Sequence, residues 1–256
     1  MKKSFLILAI FISMISFFSC GKKKVVVNSV TDLAGLTIGV QAGTTGEIFV
    51  KDEVKDAKIK SFKNGIDASL ALSNGVIDAI VLDELPAQEI VKRNEKLMIV
   101  NDKFAEEQYA IAIKKGNKAL LDSVNSTIKK IKANGTYVNL MNAFMPLDGN
   151  ISIPTITEKG GDSVIKMGTN AAFPPFEYME GSEIVGFDVA MAKYIANDCG
   201  KKLQIVDMAF DGLIAALQSD AIDFIAAGMT ATDERRQNVD FSEPYYTSNQ
   251  VIIIRK

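Results

Sequence analysis

Twice along this chain, a helix-like segment runs into a polar turn, then an Ile-Asp pair, then an apolar strand. Leu72-Ser73-Asn74-Gly75-Val76-Ile77-Asp78 leads into Ala79-Ile80-Val81-Leu82-Asp83, and Leu217-Gln218-Ser219-Asp220-Ala221-Ile222-Asp223 leads into Phe224-Ile225-Ala226-Ala227-Gly228. Each copy lies downstream of a strand that ends in a Gly-Thr turn. One such helix–turn–strand arises by chance; one per half of the chain predicts two similar lobes.

The pattern between the copies fits that expectation. Leu36–Val40, Ala79–Leu82, Leu97–Val100 and Ser163–Met167 read as buried strands, and Tyr109–Ile113 as a strand of alternating pattern. Glu47–Val54, Ile66–Ser73, Leu85–Arg93 and Asn117–Ala133 read as helices, the last stopped by Asn134-Gly135. Strands that alternate with helices predict an α/β protein with mostly parallel sheets. Met145–Asp162, rich in Pro, Gly, Ser and Thr, reads as a linker. Open α/β sheets place ligand groups at the carboxyl ends of their strands. Those ends are Gln41–Thr45, Asp83, Gly168–Phe173 and Gly228–Thr230.

Composition excludes some functions. The chain has no histidine, which removes the commonest general base and zinc ligand. The formal charge of −2, with no basic stripe, gives no footprint for nucleic acid. At the amino end, Lys2 and Lys3 precede an apolar run over Phe5–Phe18, short for a bilayer span and suited to a signal peptide (residues 1–19). It ends at Ser19-Cys20-Gly21, which resembles a bacterial lipoprotein signal with lipid on Cys20 and residues 20–24 as a spacer. A Cys beside an ordinary cleavage site and an uncleaved anchor are the other readings. Without Lys2 and Lys3 the mature charge becomes −4. Cys199 is then left without a partner, and reads as a small apolar residue on a helix.

Longer motifs carry a family resemblance. Gly168-Thr169-Asn170-Ala171-Ala172-Phe173-Pro174-Pro175-Phe176-Glu177-Tyr178, Gly186-Phe187-Asp188-Val189-Ala190, Ala226–Arg236 and Asp240–Tyr246 together resemble one lobe of type II periplasmic, or extracellular, solute-binding proteins for polar and basic amino acids. Val30–Gly35 and Gly39–Gly46 resemble the start of their second lobe. The resemblance implies two Rossmann-like lobes around a ligand cleft, with no cofactor. It implies a free amino acid as ligand, an ABC permease as partner and an extracytoplasmic site, lipid-anchored to the membrane. The lobe order is reversed here, which resembles a circular permutation. Residues 25–108 would form the usual second lobe, 109–113 the crossover and 114–256 the usual first lobe. Residues 145–162 would join the old ends, and 251–256 would be a cut hinge strand.

A free amino acid brings a carboxylate and an ammonium, and both need partners once desolvated. The resemblance assigns Arg235 to the carboxylate, which its planar fork suits. By itself, Arg235 would read as a solvated helix charge. Thr44, Thr45, Met229 and Thr230 flank the same strand ends, with Thr45 and Thr230 offering backbone N–H groups and Thr230 its hydroxyl. Asp83 and the Gly228 carbonyl would accept from the ammonium, although Asp83 alone would suit a helix cap. Phe173 and Phe210 would sandwich the ligand side chain, and Asn170 and Glu177 would meet its far end, with Gln41 and Asp211 on the rim. Arginine or lysine is the expected ligand, because Glu177 adds negative charge; the neutral Asn170 leaves glutamine open. Two other classes remain: a cyclohexadienyl-dehydratase-like enzyme, whose acid or base would be Glu177, Asp83 or Asp211, and a sensory module.

Overall fold

The structure is a computed structural model and describes residues 26–256; the predicted signal peptide and Cys20 lie outside the described residues. It is mixed α/β, with two lobes built on separate sheets.

The first sheet gathers β1 (Thr37–Gln41), β2 (Lys58–Phe62), β3 (Ala79–Asp83), β4 (Leu97–Ile99) and β5 (Phe104–Tyr109). Around it pack α1 (Thr45–Glu53), α2 (Gly65–Ser73) and α3 (Glu84–Lys92). The second lobe begins with β6 (Ala112–Lys114), α4 (Lys118–Ala133) and α5 (Thr136–Phe144). It continues with β7 (Val164–Thr169) and a small antiparallel sheet of β8 (Ala172–Phe173), β9 (Glu177–Glu180) and β10 (Glu183–Val185). Then come α6 (Phe187–Asp198), β11 (Lys202–Asp207), α7 (Leu213–Gln218), β12 (Phe224–Ile225), α8 (Asp233–Asn238) and β13 (Val239–Phe241). Its main sheet runs β11-β7-β12-β6-β13, in which only β6 opposes its neighbours.

The repeated Ile-Asp pair does the same work in both lobes. Asp78 accepts the backbone N–H of Thr37 at 3.0 Å, and Asp223 that of Lys166 at 2.7 Å, so each ties its strand entrance to the neighbouring parallel strand, β1 or β7. Ile77 and Ile222 are buried against glycines of that neighbouring strand, Gly39 and Gly168. A Cβ at either glycine would collide with the isoleucine Cδ1. The sequence similarity is thus a packing unit used twice.

The carboxyl end corrects the expected lobe boundary. β14 (Tyr246–Arg255) belongs to the first sheet, in the order β2-β1-β3-β14-β4, and also pairs with β5. Residues 246–255 therefore lie with the first lobe described here, outside the 114–256 unit read from sequence, and 251–256 is no cut hinge. The chain crosses between the lobes twice, between β5 and β6 and again between β13 and β14, and both crossings are covalent. The reason is apolar burial on both faces. Val251 and Ile253 join one apolar cluster, Ile252 and Ile254 another, so this run needs the central slot of a sheet covered on both sides. Residues 26–29 form no strand, and Val27 packs in the cluster that holds Ile254.

Tyr109–Ile113 is likewise two strands rather than one. At Tyr109 and Ala110 the backbone leaves one sheet for the other, bonded to Tyr245 and Met229 on the way. Residues 146–162 contain no helix or strand, as expected of a linker, and lean on α6 through Asn197, which holds Thr157 and Lys159. Cys199 is half-buried at the end of α6.

Candidate functional site

The strand ends of both lobes meet in one cleft. It is lined by Gln41, Thr44, Thr45, Asp83, Asn170, Phe173, Glu177, Phe210, Ala227, Gly228, Thr230 and Arg235. Every residue named from sequence for this site is therefore in the lining except Met229 and Asp211. Met229 is a correction. Along an extended segment alternate side chains point to opposite sides. Gly228 and Thr230 face the cleft, so Met229 turns into the apolar core beside Phe210 and Leu213. Asp211 is exposed on the rim.

Arg235 sits in the first half of α8, capped by the Thr232 hydroxyl at 3.2 Å. It is only 7% exposed. Its Nη1 donates to the Thr230 carbonyl and its Nη2 to the Gly43 carbonyl, each at 2.8 Å, the second bond reaching across to the other lobe. The guanidinium lies 5.4 Å from the Phe210 ring centroid, so Phe210 faces this cation, while Phe173 faces Phe176. A guanidinium has five N–H donors, and these bonds use two. The rest remain available to a carboxylate. Burial works against the positive charge, and Glu107 and Asp83 support it.

The lobes close tightly here. Gly43 has a φ of +76°, and a Cβ on it would come within 2.9 Å of the Asp211 Cβ in the opposite lobe. Gln41 donates its side-chain N–H to Asn170 across the same gap at 3.0 Å.

Acidic groups dominate the interior. Among the described residues the buried carboxyl groups of side chains are those of Asp83, Glu107, Glu177 and Asp188, against Arg235 as the one buried base. Asp83, at the end of β3, accepts the phenol proton of Tyr109, and burial followed by the charge of Glu107 pushes its carboxyl up to about 7. Asp188, at the start of α6, takes the Gly228 N–H at 2.9 Å and the Tyr245 hydroxyl at 2.6 Å; burial still raises it to about 6. Glu177 is fully buried, neither of its oxygens meets an N–H or hydroxyl donor, and its polar neighbour is the Asp188 carboxylate, to which the protonated acid can donate. Its neighbours are negative, so burial first and then Asp188 hold it well above the usual carboxylate range.

Sequence reading missed Glu107 and Ala227. Glu107, on β5, accepts hydroxyl protons from Thr45 of one lobe and Thr230 of the other, each at 2.8 Å. The Thr230 hydroxyl, expected to serve a ligand carboxylate, thus already gives away its proton. A signal was present: Glu107 lies two residues from Tyr109, on the same face of an alternating strand.

Part of the chain is similar to known proteins. Residues 165–256 match the model of bacterial extracellular solute-binding proteins, family 3. The arginine-binding extracellular protein ArtP of Bacillus subtilis is 47% identical over 98 residues, which is 38% of this chain and 38% of that protein. A probable histidine-binding protein of Campylobacter jejuni is 45% identical over 35% of each chain. The ABC transporter arginine-binding protein 1 of Escherichia coli is 33% identical over 48% of this chain and 53% of its own. The chain thus spans about half or less of the length of these curated relatives. An ancestral arginine-binding protein bound to glutamine is 47% identical over 34% of this chain and 39% of its own, with a TM-score of 0.33.

Proposed function

We propose that this chain, whose residues 165–256 match the model of bacterial extracellular solute-binding proteins of family 3, captures a free basic amino acid, arginine or lysine, for an ABC importer. The observation that carries the reading is Glu177: a fully buried carboxyl on the wall of the cleft that meets no N–H or hydroxyl donor and faces another carboxyl, Asp188. Burial and the nearby carboxylates make ionised Glu177 costly, and a cation that supplies donors turns that cost into attraction. A basic amino acid brings two positive groups and one negative, which matches an interior of several carboxylates and one arginine. Arg235 takes the ligand carboxylate, Asp83 its ammonium and Glu177 the far end of the side chain. Relatives named for arginine and histidine binding support a basic ligand. Binding and release need no bond chemistry, so the reading is a carrier and not an enzyme.

Calorimetry with arginine, lysine and glutamine tests it. Arginine or lysine should bind the wild type more tightly than glutamine does. Glu177→Gln should weaken arginine by about tenfold or more, because a charge-assisted hydrogen bond becomes a neutral one, and should leave glutamine nearly unchanged. Glutamine binding without arginine binding would overturn the assignment.

The permuted lobe order is part of the same proposal. Its support is the family-matched segment at 165–256, behind a lobe with the same Ile-Asp unit, and the shared cluster of Val27 and Ile254. The join at 145–162 then replaces the old termini. We also propose lipid attachment at Cys20, from the Ser19-Cys20 motif alone. Cys20→Ser should move the protein from membrane to soluble fractions; intact-mass analysis of membrane material with an unmodified Cys20 would sink it.

A further inference from the structure

Glu107 has no assigned part in ligand capture, yet its position is unusual. It lies on β5, two residues before the chain leaves the first sheet, and it is 7% exposed. One of its oxygens, Oε2, receives two hydroxyl protons, from Thr45 at the start of α1 and from Thr230 after β12, both at 2.8 Å. The donors come from opposite lobes, and both line the cleft.

A threonine hydroxyl has one proton and two lone pairs, and a carboxylate has no proton to give. Both protons must therefore point at Glu107. What each hydroxyl turns toward the cleft is a lone pair. Asp83, in the same lining, also presents acceptors. We infer that Glu107 is a positioning residue that holds the Thr45 and Thr230 hydroxyls as acceptors, so that this wall of the cleft selects for the α-ammonium of the ligand. The inference rests on the reading of the cleft as an amino-acid site. Without Glu107 either hydroxyl could rotate its proton into the cleft and oppose an ammonium.

The test compares L-arginine with 5-guanidinopentanoate, the same molecule without its α-amino group, by calorimetry on the full chain. The wild type should prefer arginine. Glu107→Met removes the acceptor and should cut the ratio of the two affinities by about tenfold, with the des-amino compound changed much less, because a lost hydrogen bond to a charged group is of that order. Glu107→Gln keeps an acceptor oxygen and should restore most of the ratio. Equal weakening of both ligands by Glu107→Met would mean a merely structural role and would overturn the inference. So would a Glu107→Gln ratio as low as that of Glu107→Met, since Glu107 would then act through its charge. If Glu107→Met does not fold, Thr230→Val removes one of the oriented oxygens and carries the same comparison. A wild type that binds no amino acid overturns the proposed function and this inference with it; arginine binding with an unmoved ratio overturns this inference alone.

Discussion

Arg235→Ala should reduce arginine affinity by at least about a hundredfold. Truncating one partner of a buried, hydrogen-bonded charge pair costs roughly 2–5 kcal/mol, and each 1.4 kcal/mol is about tenfold in Kd. The geometry argues for the upper part of that range. Arg235 is the one buried base among the described residues, so nothing else there neutralises a ligand carboxylate in the closed cleft. The substitution also removes the 2.8 Å bond to Gly43 in the opposite lobe, and with it a contact that favours closure. Two effects are therefore mixed in the loss, and argininamide separates them. It has no carboxylate, so Arg235→Ala should weaken it only by the closure share. A Kd for arginine within about threefold of wild type, well under 1 kcal/mol, would remove Arg235 from the site. Equal losses for arginine and argininamide would assign Arg235 to closure alone.

The parts of the fold that were legible in sequence are those where local pattern and burial agree. β3 and α2 read correctly because Ala79–Asp83 is buried throughout and the helix before it ends at a polar turn. Gln41, Thr44, Thr45, Asp83, Asn170, Phe173, Gly228 and Thr230 were legible as lining because the ends of β1, β3, β7 and β12 are where an open α/β sheet places its ligand, whereas Glu177, Phe210 and Arg235 came with the family resemblance. What failed was decided by distant chain. The continuous apolar run of Val251–Ile254 announces a strand, but only the vacancy between β3 and β4 says which sheet takes it. Met229 failed because the turn motif was transferred as a block, without the alternation that points it inward. Glu107 failed because Glu106-Glu107 looks like a solvated acidic pair; its burial comes from two threonines 62 and 123 residues away along the chain.

Asp83→Asn should act on binding and on its pH dependence together. In the unfolded chain this carboxyl titrates near the usual value of about 3.9. In the fold, burial and then the charge of Glu107 push it up to about 7. Between those values the folded state holds a proton that the unfolded state has lost. The stability contributed by this group is therefore fully present below the unfolded pKa and is lost as pH rises through about 7. An ammonium ligand reverses the preference, since it pairs with the ionised form. Below about 7, binding must expel the proton, so arginine affinity should fall by up to about tenfold per pH unit from Asp83 alone. Glu177 and Asp188 are raised as well and add to the wild-type slope. The difference between wild type and variant isolates Asp83. Asparagine keeps an acceptor for the Tyr109 hydroxyl and cannot ionise. Asp83→Asn should accordingly bind arginine about a hundredfold more weakly near pH 8, where the wild-type pair is fully charged. Its affinity should also fall less steeply than the wild type's below neutral pH. The ligand-free variant should unfold at a higher temperature than the wild type at the alkaline end, because it no longer buries an ionised carboxylate there. Calorimetric titrations and melting curves across this pH range check both statements. Affinity profiles that run parallel in wild type and variant would show that Asp83 does not hold the ammonium.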